Sequence, residues 1–568
     1  MLSSIFQNER FYSYGTVDDH SLENLVKQYG DEEAVEVAMD MDIDSYGRGK
    51  SSSADDTAHA DYVAYGSEVE YTSLDNLYHD NTPQFCSCGD ELKRVVSVKS
   101  PQKPFQILKK YASRCRRLNG ENMTFASYER ESQMIFSPSV ETLIQLGAEK
   151  FIKSSSKVSD ELSVLCHPYP SSILCHSGED CEGVRLVETL LSCAEKVDKK
   201  QYEEACELLL ECDRMSSATG SVIQRLVFYF AEGLYEKIDR ETGQITPKGL
   251  GKKVEDPLIA VRSPDETTMA FHKELPISQI TKFAGIQAVV DNVGEARKVH
   301  FIDFEIRKGI HCIILMQALV DRCGVPIECL RISAVCVGGE MRASVEATGR
   351  RLVSSAQSLG LSFSFDVVMV EDLLELNEKC FQIDREEVVS VYAEYTLTHM
   401  IGRPDRLEHV MKVMRSLSFR VMVVAEVETN CNSPIFVDRF VEALFFYGAY
   451  FESMADCVRN VEQRCIAEAT CFGSSIRNVV ATEGRERKIR HVRMSVWRSF
   501  FSRFGFEETE LSMSSVYQAN LVVKNFASGS FFTFGIDGKS LIIGWKGTPM
   551  SSISAWRFSV PDNYDNPM

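Results

Sequence analysis

From residue 299 onward, short apolar runs alternate with helix-length segments. The runs are VHFIDF, CLRISAV, FSFDVVMV, EVVSVYA and RVMVVAEVE, and between them lie ILMQALVDRC, ASVEATGRRLVSSAQSLG and DRLEHVMKVMRSL. Strands that are apolar throughout need cover on both faces, and helices between successive strands supply it. The pattern is therefore that of a parallel sheet with helices on either side. At the end of the chain NLVVKNF, SFFTFGIDGKSLIIGW and SAWRF read as antiparallel strands, with IDGK as a tight turn. The expected fold class is α/β: a Rossmann-like, mostly parallel sheet over 270–560 with an antiparallel C-terminal edge.

Upstream, the period is helical. Leu186, Val187, Leu190, Leu191, Ala194 and Val197 form one stripe, Ala205, Leu208, Leu209 and Cys212 a second, and Ile223, Leu226, Val227, Phe230, Leu234 and Ile238 a third. These predict a helical cap over 183–240. The first stripe covers two adjacent lines. Leu186 and Leu190 follow one, Val187 and Leu191 the other, and packing on a larger domain needs only one of them. The second line is available to a partner helix, so these four residues are partner-binding candidates. A further amphipathic stretch, VETLIQLGAEKFI at 140–152, falls before a Ser-rich break, and the ordered body is expected to begin near 179 and to run to about 562.

Charge divides the rest. The net charge is −20, and residues 1–92 hold 20 acids against 4 bases. With aromatics interleaved among the acids and no sustained period, that region is expected to be disordered and activation-like, or simply solubilising. Residues 93–117 carry nine bases and no acid, within a basic linker over 93–178. Lys109, Lys110, Arg114, Arg116 and Arg117 are candidates for nuclear import, against the plainer reading of a linker that balances the acidic tail. No apolar run is long enough for a membrane span, and the N-terminal stretch has no secretory core. The 18 cysteines are scattered through apolar runs, as buried thiols are in a reducing compartment.

The stretch VHFIDFEIRKGIH at 299–311 stands where a doubly wound enzyme holds its cofactor. Such a loop needs glycines so that backbone N–H groups can approach the ligand. Here only Gly309 is present, Phe304, Glu305 and Ile306 are bulky, and the next strand, RISAVCVGGE, has no acid before Glu340. Both requirements fail, so no cofactor is expected. Asp303, Glu394, Glu426 and Glu428 should gather at strand ends, where they can do acid–base work, cap helices or pair with arginine. His399 reads as structural. The cysteines and histidines of CHPYPSSILCHSGEDC match no zinc spacing, and there is no Walker loop or nucleophile elbow.

Several unrelated motifs, in order, make the last two-thirds of the chain resemble the GRAS family of plant regulatory proteins. Val299, His300, Phe301, Ile302 and Asp303 look like its VHIID motif. The helices around VETLLSCAEKVDKKQYEEACELLL resemble its first leucine-rich region, and ILMQAL through LRISAV its second. Asn432, Ser433, Pro434, Phe440, Glu442, Ala443 and Leu444 fit the segment after its PFYRE strand. Trp545, Gly547, Pro549, Ser554, Ala555, Trp556 and Arg557 are in place for the terminal SAW motif. The departures are His311-Cys312, where the family usually has Gln-Trp, the run Arg485-Glu486-Arg487-Lys488 at the RVER core, and the lack of a DELLA-type signature. The resemblance implies a methyltransferase-like Rossmann fold without turnover. It also implies nuclear regulation of transcription through DNA-binding transcription factors or other GRAS proteins, as homo- or heterodimers. Direct DNA contact is left open. The rival reading is a methyltransferase-like enzyme or small-ligand sensor.

Overall fold

A computed structural model describes residues 138–155, 178–253 and 273–558. The basic cluster Lys109–Arg117, the acidic region and most of the Cys166–Cys181 stretch lie outside the described residues. The first element is α1 (Val140–Ser155), then α2 (Gly178–Asp198), α3 (Tyr202–Met215) and α4 (Val222–Thr242). The core alternates strictly at first: α5 (Pro276–Val293), β1 (Lys298–Asp303), α6 (Ile310–Asp321), β2 (Cys329–Val337), α7 (Arg342–Ser358), β3 (Phe363–Val370), β4 (Val388–Glu394), α8 (Pro404–Ser416) and β5 (Val421–Val427). There follow α9 (Phe436–Cys457), α10 (Val461–Ala467), α11 (Ser474–Ala481), α12 (Met494–Ser502), β6 (Phe506–Thr509), α13 (Met513–Lys524), β7 (Phe532–Asp537), β8 (Ser540–Trp545) and β9 (Thr548–Phe558).

The sheet runs β3-β2-β1-β4-β5-β9-β8-β7, with β6 also pairing β9. The first five strands are parallel and β6 to β9 antiparallel. This is the expected mostly parallel α/β sheet with an antiparallel edge. The strands are apolar throughout because alternate residues serve two cores. Phe301, Tyr392, Val423 and Ala555 enter the core shared with the helical cap. Ile302, Val391, Met422, Val424 and Trp556 enter the core under α8 and α12.

Three expectations need correction. NLVVKNF is not a strand: it ends α13, whose buried residues Ser515, Ala519 and Val522 recur at helical spacing. A short apolar run is ambiguous between the two periods, and Ser512, whose side chain accepts from Ser515 N–H, is the capping signal that settles it. The body also starts before 179. Helix α1 is packed into the main core, and close approaches lock it there: a Cβ on Gly147 would meet Val187 Cγ1 at 2.6 Å, and one on Gly448 would meet Ile144 Cδ1 at 2.9 Å. Its first N–H donates to Glu452 Oε1 (3.2 Å), a carboxylate that also accepts from Trp545 Nε1 (3.1 Å) and Lys546 Nζ (2.9 Å).

Finally, the cap offers neither line of the first stripe. Leu186, Val187, Leu190 and Leu191 are all buried, at 4% exposure or less. Helix α2 is sandwiched among α1, α3 and α4, so the second line that seemed spare covers neighbours within the chain. The four partner-binding candidates are core residues.

Trp556 is 1% exposed and meets Phe501 edge-on at 4.7 Å between ring centroids. Replacing it with alanine should cost about 3–5 kcal/mol by opening a cavity. A urea titration should show the midpoint fall with an unchanged slope.

Candidate functional site

The residues that gather at the C-terminal end of the parallel strands are charged and buried. Strand β1 ends on Asp303, 1% exposed. Its Oδ1 accepts the N–H of Glu305 (2.9 Å), and its Oδ2 accepts from His311 Nε2 (2.5 Å) in the first turn of α6. Cys312 Sγ lies 3.9 Å from the same oxygen. The His311 ring stacks on Tyr392 of β4, centroids 4.9 Å apart. The intervening loop is filled by its own side chains. Phe304 is buried in one core and Ile306 in the other, so the loop is anchored on both faces of the sheet. Gly309 has φ +66°, and a Cβ there would meet Thr348 Cγ2 at 2.9 Å. The one glycine thus serves packing of α6 against α7 rather than the approach of backbone to a ligand.

Glu394 ends β4. Its Oε1 takes hydrogen bonds from Lys282 Nζ (2.9 Å) and Thr281 Oγ1 (3.1 Å). Burial pushes this carboxyl up, but Lys282, Arg307 and His311 outweigh it and hold it at about 2. Arg307 and Tyr395, on facing turns, both adopt left-handed backbone, with φ of 50° and 53°. Arg307 Nη2 reaches the Glu394 carbonyl at 3.4 Å. Non-glycine residues in this region carry strain and persist only where the surroundings over-determine them.

Glu426 and Glu428, on β5 and just after it, behave oppositely. Burial pushes Glu426 up to about 8 against backbone N–H groups that favour its charged form, among them Thr398 N–H at 3.1 Å from Oε1. Its Oε2 is buried and has no hydrogen-bond partner. Burial likewise raises Glu428 to about 7, although its Oε2 accepts from Met494 N–H (2.9 Å) and caps α12. His399 is half-buried, with Nδ1 3.7 Å from Glu305 Oε2. His491, held neutral at about 3 by burial and by His399, bonds Thr398 Oγ1 at 3.1 Å. The four strand-end acids therefore cap, pair and tie loops, with Glu426 keeping one oxygen unused.

Residues 186–557 match the family model described as the GRAS domain family. The chain belongs to this family. Among curated GRAS relatives, the DELLA protein GAI1 of Vitis vinifera is 28% identical over 66% of this chain and 62% of its own length. DELLA protein 1 of Medicago truncatula is 27% identical over 73% of this chain and 70% of its own. The chain thus spans a little under two-thirds of the first of these relatives. The crystal structure of SCL7 from Oryza sativa superposes with a TM-score of 0.58 at 27% identity, covering 66% of this chain and 99% of that one.

Within the GRAS domain, Val299, His300, Phe301, Ile302 and Asp303 form β1, at the centre of the parallel half. All five are buried, and His300 pairs with Glu387 (3.1 Å) and Ser333 (2.8 Å) rather than with the strand-end cluster. Trp545 closes β8, and Ser554, Ala555 and Trp556 lie on β9, which pairs with β5 so that Ser552 stands opposite Glu426. Sequence reading missed His311, Lys282, Thr281 and Arg307. His311 and Cys312 were visible only as departures from the family pattern. Lys282 and Thr281 sit on α5, more than a hundred residues from Glu394, with no local signal to link them.

Glu426 gives a pH test. Its folded pKa, raised from 4.5 to about 8, means that its protonated form is favoured by folding. The associated stability is complete below about pH 4.5 and is lost as pH rises to 8, on the order of 5 kcal/mol by linkage. Glu426→Gln keeps an acceptor for Thr398 N–H and cannot ionise. It should flatten the fall in melting temperature between pH 5 and 8, and be more stable than the parent at pH 8.

Proposed function

We propose that this chain is a non-enzymatic plant transcriptional co-regulator that works in the nucleus by binding DNA-binding transcription factors and other GRAS proteins. The observation that carries this reading is the match to the GRAS family across 186–557. Two features of the molecule support it. The loop 304–309 buries Phe304 and Ile306 where a nucleotide-binding loop would present bare backbone. β2 ends at Val337, and the chain then passes through Gly338 and Gly339, with no carboxylate to hold a ribose before the exposed Glu340.

The partner surface must lie elsewhere than on Leu186, Val187, Leu190 and Leu191, which are core. The basic run from Lys109 to Arg117 supplies the nuclear import signal in this reading, and replacing Lys109, Lys110, Arg114, Arg116 and Arg117 with glutamine should move a fluorescent fusion toward the cytosol. No helix among the described residues is long and apolar enough to cross a membrane.

A methyltransferase-like or ligand-sensing role is the rival, favoured by the buried, unpartnered Glu426 Oε2 at the strand ends. Two measurements separate them. Tethered to a heterologous DNA-binding domain in plant cells, the full chain should change reporter output several-fold. In calorimetry with S-adenosylmethionine, the purified chain should give no binding heat. An inert reporter together with micromolar binding would sink the regulatory reading in favour of the enzyme.

A further inference from the structure

Hydrogen bonds at the start of α6 bring together three side chains that also bind metals. Asp303, His311 and Cys312 are all buried, and each places one metal-ligating atom within 4.8 Å of the other two. Carboxylate oxygen, imidazole nitrogen and thiol sulfur form a donor set suited to a borderline divalent ion such as zinc. We propose that Asp303 Oδ2, His311 Nε2 and Cys312 Sγ form a three-ligand site for a divalent transition-metal ion.

Holding one needs shifts of about 1 Å in the ligand atoms. Ligand atoms about 2.0–2.3 Å from a tetrahedral ion stand roughly 3.3–3.7 Å apart. The sulfur is already 3.9 Å from Asp303 Oδ2. The 2.5 Å contact between Asp303 and His311 must open by about 1 Å to admit the ion. Charge favours occupation: a dication with one carboxylate, one thiolate and a neutral imidazole is neutral overall, and a buried site tolerates neutrality far better than an isolated carboxylate. Binding displaces the Cys312 thiol proton to solvent. The His311 proton that now points at Asp303 either moves to Nδ1 or, if the ring is charged, leaves as well, so one or two protons are released per ion.

One further observation points the same way. The Tyr392 hydroxyl is buried with no hydrogen-bond partner. A water in the open fourth position of an ion would give such a group something to bind. Occupied, the site would pin the end of β1 to the first turn of α6.

The test uses the full chain, stripped with a chelator and titrated with cobalt(II), whose bond to a thiolate gives a charge-transfer absorption in the near ultraviolet. The expected result is a band saturating at one ion per chain, bleached by zinc. Cys312→Ser should abolish it, and His311→Gln should weaken cobalt binding by more than about tenfold, since even outer-shell partners are worth that much. Zinc should raise the melting temperature of the parent and leave Cys312→Ser unmoved. If Cys312→Ser fails to fold, His311→Gln decides, because its amide can still donate to Asp303. A parent without the band overturns the proposal. So does a band that survives Cys312→Ser, or a cobalt affinity unchanged in His311→Gln, either of which assigns the ion to other cysteines.

Discussion

The fold depends on β9, the last strand of the described residues. Strand β9 is an interior strand, paired along one edge with β5 and along the other with β8 and β6. Every residue from Met550 to Trp556 is buried. Until it is in place, β5 has an open edge, the hairpin β7-β8 has nothing to join, and both cores lack a wall. Burying seven consecutive residues is worth far more than the loop-closure entropy of bringing the chain end back, which grows only logarithmically with length. The SAW residues thus do architectural work: Trp556 fills one core, while Ala555 faces the other and leaves room for it.

The same logic explains why the helical cap cannot stand apart from the sheet. Helix α4 carries Arg225, Lys237 and three carboxylates on faces that are buried. Arg225 makes two hydrogen bonds to Glu468, at 2.8 and 3.1 Å, with both side chains at 3% exposure or less. Arg477 of α11 pairs with Glu236 at 2.7 Å. Arg439 of α9, fully buried, donates to the carbonyls of Val479 (2.8 Å) and Ser433 (2.9 Å) and pairs with Glu483. Such pairs add little net stability over apolar packing, because desolvation offsets their attraction. Removing one partner, however, strands a buried charge. They therefore hold one arrangement of cap against core, while the apolar contacts provide the bulk of the free energy.

At the strand ends the chain has the layout of a Rossmann-like sheet, filled by its own side chains. Buried Phe304 and Ile306 occupy the loop, and the acids are committed to lysine, backbone N–H groups and helix caps. What remains chemically uncommitted is small and local: one oxygen of Glu426 and the Tyr392 hydroxyl, near a carboxylate, imidazole and thiol that bond one another around the first turn of α6.

The sequence by itself determined the α/β class, the order of the parallel strands along the chain and the loss of the glycine loop, because those follow from period, length and the size of side chains. It also marked the SAW tryptophans as buried. Tertiary structure alone decided three other things. Whether NLVVKNF is helix or strand turned on α5, against which α13 packs. Whether the second line of α2 is surface or core turned on α1, a helix outside the expected body. And the partners of Asp303 and Glu394 came from α6 and α5, since a carboxylate at a strand end is satisfied by whatever the packed helices bring within about 3 Å, and no local pattern encodes that distance.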